Sequence, residues 1–431
     1  MQDLAPKSGA VQKAAPSHAP IAPARSAAFA ILDRVATTSA HSDDLLHGPG
    51  MSGLSQADRN LATALVLGVL RWQIALDAVM QPLLQRPDLA LPSPVATTLR
   101  MGAFQLQHLD RIPAHAALSE SVELVRAAGH GHAAGMVNAI LRKLTRQAWP
   151  KPKLYETTAA FAERLGHPRW IVDRWVQNYG RNASLAICEH DQQEPGLGGF
   201  FSDQNLPEGT LFHLDDGSRL VAELAAVAHA SPKRIWDCCA APGGKTLVLA
   251  RRHGDAALLA TDANPRRLEA LAARLHAVAT QVRTLEADAT RLPESEGLFD
   301  LILCDVPCSG TGTLGRNPEI RHRLQPSDLA RQATRQKQIL GAALGRLVPG
   351  GCLLYSTCSL EPEENEQVVA EALASTAGIR ATSLEPVLQR LSVNGVLAAA
   401  PLTLLRNGQL RTLPGATFQG DGFFAALFQR D

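Results

Sequence analysis

Two cysteines stand where they could do chemistry. Asp305-Val306-Pro307-Cys308-Ser309-Gly310-Thr311-Gly312 puts a carboxylate and a thiol on a loop shaped by Pro and Gly, and Ser356-Thr357-Cys358-Ser359 carries a second thiol. Cys304 and Cys352 lie inside apolar runs instead, and with Cys188 and Cys238 they read as small buried hydrophobes. A thiolate opens a covalent route that a carbon such as C5 of cytosine needs, because that carbon is too poor a nucleophile to take a methyl group from a sulfonium directly. Addition of sulfur at C6 makes an enamine with electron density at C5. A carboxylic acid near N3 would neutralise the charge developing on the ring, a role that suits Asp305. Clustered cysteines could also hold zinc, but the chain has no C-x-x-C pair and no suitably spaced His, so no metal is expected.

A second constellation reads as a cofactor site. Cys239-Ala240-Ala241-Pro242-Gly243-Gly244-Lys245-Thr246 joins a short apolar run to a helix expected from about Thr246, where glycines allow close approach and the helix start offers free N–H groups. A dinucleotide G-x-G-x-x-G is absent. A phosphate loop, G-x-x-x-x-G-K-[ST], is matched at its last three positions but has Cys239 in place of its first glycine. Asp262 follows about 20 residues on, at the end of the next apolar run, where an acid accepts from ribose hydroxyls; its alternative role is a helix cap before Pro265. An adenosine ligand without a triphosphate therefore fits best. Asp288 takes the adenine side, with a plain turn-forming Asp as the alternative.

Elements that position these residues follow from periodicity. From about residue 218, the short apolar runs 234–236, 257–260, 282–285, 301–304 and 352–355 alternate with helical segments, which indicates a parallel α/β sheet covered on both faces. Asp237, Asp262, Asp288, Asp305 and Cys358 each close or follow a run, so they should converge on the crevice at the carboxyl ends of the strands. Residues 25–148 are helix-patterned: Leu61, Leu65, Val69 and Trp72 recur at helical spacing, as do Val137, Ile140, Leu141 and Leu144, with Pro92, Pro113 and Gly131 as breakers. Residues 1–24, rich in Ala and Pro, read as a disordered arm, and 149–217 as a linker and short intermediate segment before the 218–431 catalytic domain.

The chain of 431 residues has seven cysteines and a formal net charge of +1. That cysteine usage implies reduced thiols, and with no apolar run near the roughly 20 residues of a membrane span, a soluble cytoplasmic protein is expected. The near-neutral total hides local excess. Residues 142–181 carry nine Lys or Arg against three acids, either a phosphate-contacting stripe or a solvated surface, and 316–337 carry six against two directly after the Cys308 loop. Arg316, Arg321 and Arg323 are the favoured RNA contacts, whereas Arg331 and Arg335 suit a solvated helix face.

With these residues in place, the sequence resembles the Sun/Nop family of RNA cytosine-5 methyltransferases, in particular its bacterial branch, which acts on 16S ribosomal RNA and carries a NusB-like N-terminal domain. The resemblance rests on 237–246, Asp262, Asp288, 305–312 and Tyr355-Ser356-Thr357-Cys358-Ser359, with Glu361-Pro362-Glu363-Glu364-Asn365-Glu366 behind it. In the helical region it rests on Leu65-Val66-Leu67-Gly68-Val69-Leu70-Arg71-Trp72 and 112–121. It implies an all-α NusB-like RNA-binding domain followed by a Rossmann-like methyltransferase domain that uses S-adenosylmethionine. Cys239, Ala240, Ala241, Pro242, Gly243, Gly244 and Lys245 would line the cofactor pocket, with Asp262 and Asp288 on the adenosine and Asp305 on cofactor and base. Cys358 would attack C6 and Cys308 would assist release. The implied substrate is small-subunit ribosomal RNA, met by a monomer with no membrane partner. Residues 185–220 are shorter than the family's usual α/β segment, which bears on RNA selection. The competing readings are a transfer RNA methyltransferase, a non-catalytic RNA-binding assembly factor and a phosphate-loop ATPase.

Overall fold

Proline marks the starts of the N-terminal helices because its fixed φ suits a first turn and its missing N–H loses no helical bond there. The computed structural model describes residues 21–153, 155–194, 196, 199–202, 214–276, 279 and 281–431; most of the expected N-terminal arm and part of 185–220 lie outside the described residues. Helix α1 (Pro23–Thr37) starts inside the expected 1–24 arm, since Ala24 and Arg25 are buried and Arg25 donates to Gln105 Oε1 at 2.6 Å and Glu120 Oε1 at 2.9 Å. A short α2 (Ser42–Leu46) precedes α3 (Gln56–Met80), which is capped by Ser55 Oγ accepting from the Asp58 N–H at 3.1 Å. Pro92 and Pro113 directly precede α4 (Ser93–His108) and α5 (Ala114–Ala127), and α6 (Ala134–Leu144) follows the turn at Gly131–Ala133. Their shared core holds Leu99, Leu124, Val137 and Leu141. The stretch Gln56–Leu83 is, contrary to the sequence expectation, long and apolar enough to cross a membrane by length and composition, with half of its most apolar window buried.

Contacts divide the chain into two compact units, one reaching Val69 and resuming over Leu76–Pro150, the other holding Leu70–Ala75 with Lys151–Asp431. In the second unit, α7 (Thr158–Arg164), α8 (Arg169–Tyr179) and α9 (Arg181–His190) bury Phe161, Val172, Trp175 and Ile187 together with Leu314 and Leu360, residues from the loops that carry the two thiols. Helix α10 (Asp216–Ala228) is capped by Asp215, which accepts from the Ser218 N–H at 3.0 Å.

The sheet then unfolds as the sequence pattern requires. Strand β1 (Arg234–Asp237), α11 (Gly244–Arg252), β2 (Ala257–Asp262), α12 (Pro265–His276), β3 (Arg283–Glu286) and β4 (Phe299–Asp305) alternate, and after α13 (Ile320–Arg323) and α14 (Pro326–Leu344) comes β5 (Leu347–Thr357). These five strands are parallel in the order β3-β2-β1-β4-β5. Period-two alternation sends Ile235 and Leu301 to a core shared with α10 and α11, while Trp236 and Ile302 enter the core beneath α14 and α15 (Glu366–Ser375). The expected all-parallel sheet is corrected beyond β5. Strands β6 (Ile379–Thr382), β7 (Leu405–Arg406), β8 (Gln409–Arg411) and β9 (Phe424–Arg430) add antiparallel, with α16 (Glu385–Val393) between β6 and β7. Strand β9 pairs with β5 on one edge, and its other edge is shared by β6 and β8. Asn407 at φ 51° and Gly408 at φ 77° close the β7–β8 hairpin, a turn whose backbone favours this dipeptide.

Candidate active site

The loop after β1 is held by its neighbours. Ala240 N–H donates to Thr261 O at 2.8 Å and Cys238 N–H to Leu303 O at 3.1 Å, so the chain stays tied to β2 and β4 as far as Ala240, and Gly243, at φ 106°, precedes the first residue of α11. Helix α11 thus starts two residues earlier than expected. Ala240 and Ala241 are buried, Cys239 is half-buried and Pro242 exposed, while the Arg267 guanidinium donates to Ala241 O at 2.7 Å. Asp237, at the end of β1, is wholly enclosed and accepts from Thr246 Oγ at 2.7 Å. Burial pushes its carboxyl up to about 7 against that bond.

Two acids flank this loop at the ends of β2 and β3. Asp262 accepts the Asn264 N–H at 2.9 Å, and Asn264 itself caps α12 by accepting from Arg266 N–H and Arg267 N–H. The cap is therefore Asn264, and the Asp262 carboxylate, with one such bond and Arg267 at 3.8 Å, keeps acceptor capacity for ribose hydroxyls. Asp288 is exposed and turns the chain, its Oδ1 accepting from Thr290 N–H and Oγ1, both at 2.9 Å; these bonds hold it below the usual carboxylate range.

Asp305 closes β4 between two donors. Lys245 Nζ lies 2.7 Å from Oδ2, and Ser356 Oγ donates to Oδ1 at 2.7 Å across the β4–β5 pair. Burial alone would lower the Lys245 ammonium, but Asp305 overrides it and the net shift is upward. Three residues beyond Asp305, Cys308 Sγ stands 3.3 Å from Cys358 Sγ, so the two thiols expected on adjacent loops are in contact. The hydrogen bond to Cys358, then burial, raises Cys308 well above the ordinary thiol range. The loops are tied backbone to backbone: Gly312 N–H donates to Cys358 O at 2.9 Å and Gly422 N–H to Gly312 O at 2.7 Å. A Cβ on Gly312 would stand 2.2 Å from Gly422 O, so only glycine fits. Cys188, Cys238, Cys304 and Cys352 are buried, in line with the sequence reading.

Of the expected RNA contacts, Arg321 is corrected. It is 2% exposed, and its guanidinium donates to the backbone carbonyls of Arg71 at 2.9 Å, Gly166 at 3.0 Å and Leu314 at 3.1 Å. Burial lowers it to about 10. Arg316 pairs with Asp421 at 3.1 Å and Arg323 is half-buried on α13. In the 142–181 stripe, three of the nine cations, Arg164, Arg169 and Arg174, are paired with Glu156, Asp173 and the Glu361/Glu363 pair. Sequence reasoning assigned no role to Glu361, Glu364 or Gln336, all buried around the thiol loops. For the two glutamates the available signal was the acidic run at 361–366 directly behind Cys358.

Comparison with known proteins gives the family. The family model described as 16S rRNA methyltransferase RsmB/F matches residues 225–429, and that of the NusB family matches 22–146. The probable ribosomal RNA small subunit methyltransferase B of Synechocystis sp. is 30% identical over 422 residues, 88% of this chain and 92% of the relative. The ribosomal RNA small subunit methyltransferase B of Klebsiella pneumoniae subsp. pneumoniae is 31% identical over 420 residues, covering 88% and 91%. Among solved structures, the crystal structure of PH0851 shares the fold with a TM-score of 0.69 at 19% identity, over 96% of this chain and all of that one. A NusB-like helical domain joined to a Rossmann-like sheet, with relatives at this identity over nearly their whole length, means that the chain belongs to the RsmB/F family of S-adenosylmethionine-dependent ribosomal RNA methyltransferases.

Proposed function

We propose that the enzyme methylates C5 of a cytosine in 16S ribosomal RNA through a covalent bond between Cys358 and C6 of the base. The observation that carries this reading is the Cys308–Cys358 sulfur pair, 3.3 Å apart, directly after the paired ends of β4 and β5 where Asp305 meets Lys245. S-adenosylmethionine, when bound along 239–245 with Asp262 and Asp288 toward its adenosine, supplies the methyl group. Cys358, as thiolate, adds to C6 and the ring's electron pair moves to C5, which takes the methyl. Asp305, entering as the carboxylic acid, donates its proton to N3 as Cys358 adds and takes it back on release, and the Lys245 ammonium beside it stabilises the carboxylate formed in between. A base then removes the C5 proton, the ring double bond re-forms and Cys358 leaves as thiolate. Cys308, protonated and next to that sulfur, is assigned to assisting release. Arg316 and Arg323 are the candidates for phosphate contact, and the protein works as a monomer in the cytoplasm.

The test is methyl transfer from labelled S-adenosylmethionine to unmodified small-subunit ribosomal RNA. The parent protein should form 5-methylcytosine, Cys358→Ala should form none, and Cys308→Ala should accumulate a protein–RNA adduct. An active Cys358→Ala variant would sink the assignment of the nucleophile.

A further inference from the structure

Behind the two thiols lies a closed polar network that the reaction as written does not use. Glu364 is fully buried, and its carboxylate receives four donors. Oε1 accepts from the Ser309 N–H at 2.8 Å and from Gln336 Nε2 at 2.9 Å, and Oε2 accepts from the hydroxyls of Ser309 and Ser359. Ser309 directly follows Cys308 and Ser359 directly follows Cys358. Gln336, on α14, also donates to Pro307 O at 3.0 Å, so the backbone on both sides of Cys308 is tied to this network. Glu364 is anchored in turn, its own carbonyl accepting from the Tyr355 hydroxyl at 2.6 Å. Two of the four partners, the Ser309 N–H and the Gln336 amide nitrogen, can only donate, and both fall on Oε1.

We propose that Glu364 is a positioning residue that fixes the spacing of the two thiols, and through it the step in which Cys308 acts on the base held by Cys358. The proposal rests on the two-thiol reading above. Fixing Cys358 alone would not require a group shared with the Ser309 loop; sharing one carboxylate makes the position of each sulfur depend on the other. Loss of the carboxylate should therefore weaken release more than attack, because attack needs one thiol in place and release needs two.

The spacing has a readout that does not involve methyl transfer. Diamide, an azo oxidant, joins two neighbouring thiols into a disulfide and takes up their two hydrogens as the hydrazine, so its rate reports how often Cys308 and Cys358 meet. With the full-length protein, Glu364→Ala should slow closure of the 308–358 disulfide, mapped by mass, and the decay of the protein–RNA adduct by about tenfold each, with adduct formation changed less than about threefold. Glu364→Gln, which keeps one acceptor, should fall between. Should Glu364→Ala fail to fold, Gln336→Met, which removes only the bonds to Pro307 and Glu364, must move both rates in the same direction. Folded variants that close the disulfide and release adduct at parental rates overturn the proposal, as does an equal loss of formation and decay. A Cys308→Ala protein that forms no adduct at all would instead sink the two-thiol chemistry, and disulfide closure in the parent and the Glu364 variants would still decide whether Glu364 sets the spacing.

Discussion

At the scale of single side chains, Asp237 is an enclosed carboxyl next to the 239–245 loop. Its folded value, about 7, stands above the ordinary 3.8, so between those values the native protein holds a proton that the unfolded chain has lost. The stability it contributes is present at low pH and is lost as pH rises through about 7. Asp237→Asn cannot ionise and can still accept from Thr246. The melting temperature of this variant relative to the parent should therefore shift in the variant's favour between about pH 5 and about pH 8; a difference that stays flat would show that Asp237 does not titrate there. Arg321 makes the complementary case. Its charge is buried among backbone carbonyls, so Arg321→Met leaves three acceptors short of a donor, and a loss of about 2–5 kcal/mol in urea unfolding is expected.

At the scale of elements, the site depends on how closely loops after different strands approach. The Cys308 loop, the start of the Cys358 loop and the turn at Gly422 meet at Gly312, where no side chain fits. Gly312→Ala must push the thiol loop aside while the cofactor loop after β1 stays as it was. Turnover should fall roughly a hundredfold with the S-adenosylmethionine Kd unchanged within about twofold, as calorimetry and a steady-state assay would read. Equal losses in both would mean that the two loops move together. The helical layer α7–α9 supports the same region from behind: Arg174 donates to Glu361 at 2.7 Å and to Glu363 at 2.6 Å, and the Trp175 indole N–H donates to Glu361 at 3.1 Å. Glu361 and Glu363, which follow Cys358, are thus structural ties between this layer and the thiol loop.

At the scale of the molecule, a formal charge of +1 gives no general attraction for RNA, so affinity must come from a few local contacts. Arg323→Gln should then lower the slope of log affinity against log salt by about 1, whereas Arg321→Met, whose guanidinium is enclosed, should leave the slope as it is. Equal slopes for the parent and Arg323→Gln would remove Arg323 from the contact surface. What could be read directly from the chain was whatever local rules control: the five parallel strands, because each apolar run ends on a polar residue; the helical N-terminal region, because its periodicity is unbroken between prolines; and the thiols themselves, because Pro and Gly flank one of them and neither lies inside an apolar run. The direction of β9 was not legible, since the apolar run that marks it is the same for either orientation, and the Asn407-Gly408 turn marks only the hairpin of β7 and β8. Nor was the burial of Arg321, the four-donor shell of Glu364 or the 3.3 Å between the sulfurs. Each of these is a contact between residues far apart in the chain, and residue type alone does not say whether a charge faces water or a ring of backbone carbonyls; only the packed structure, which removes water from one side of the choice, decides it.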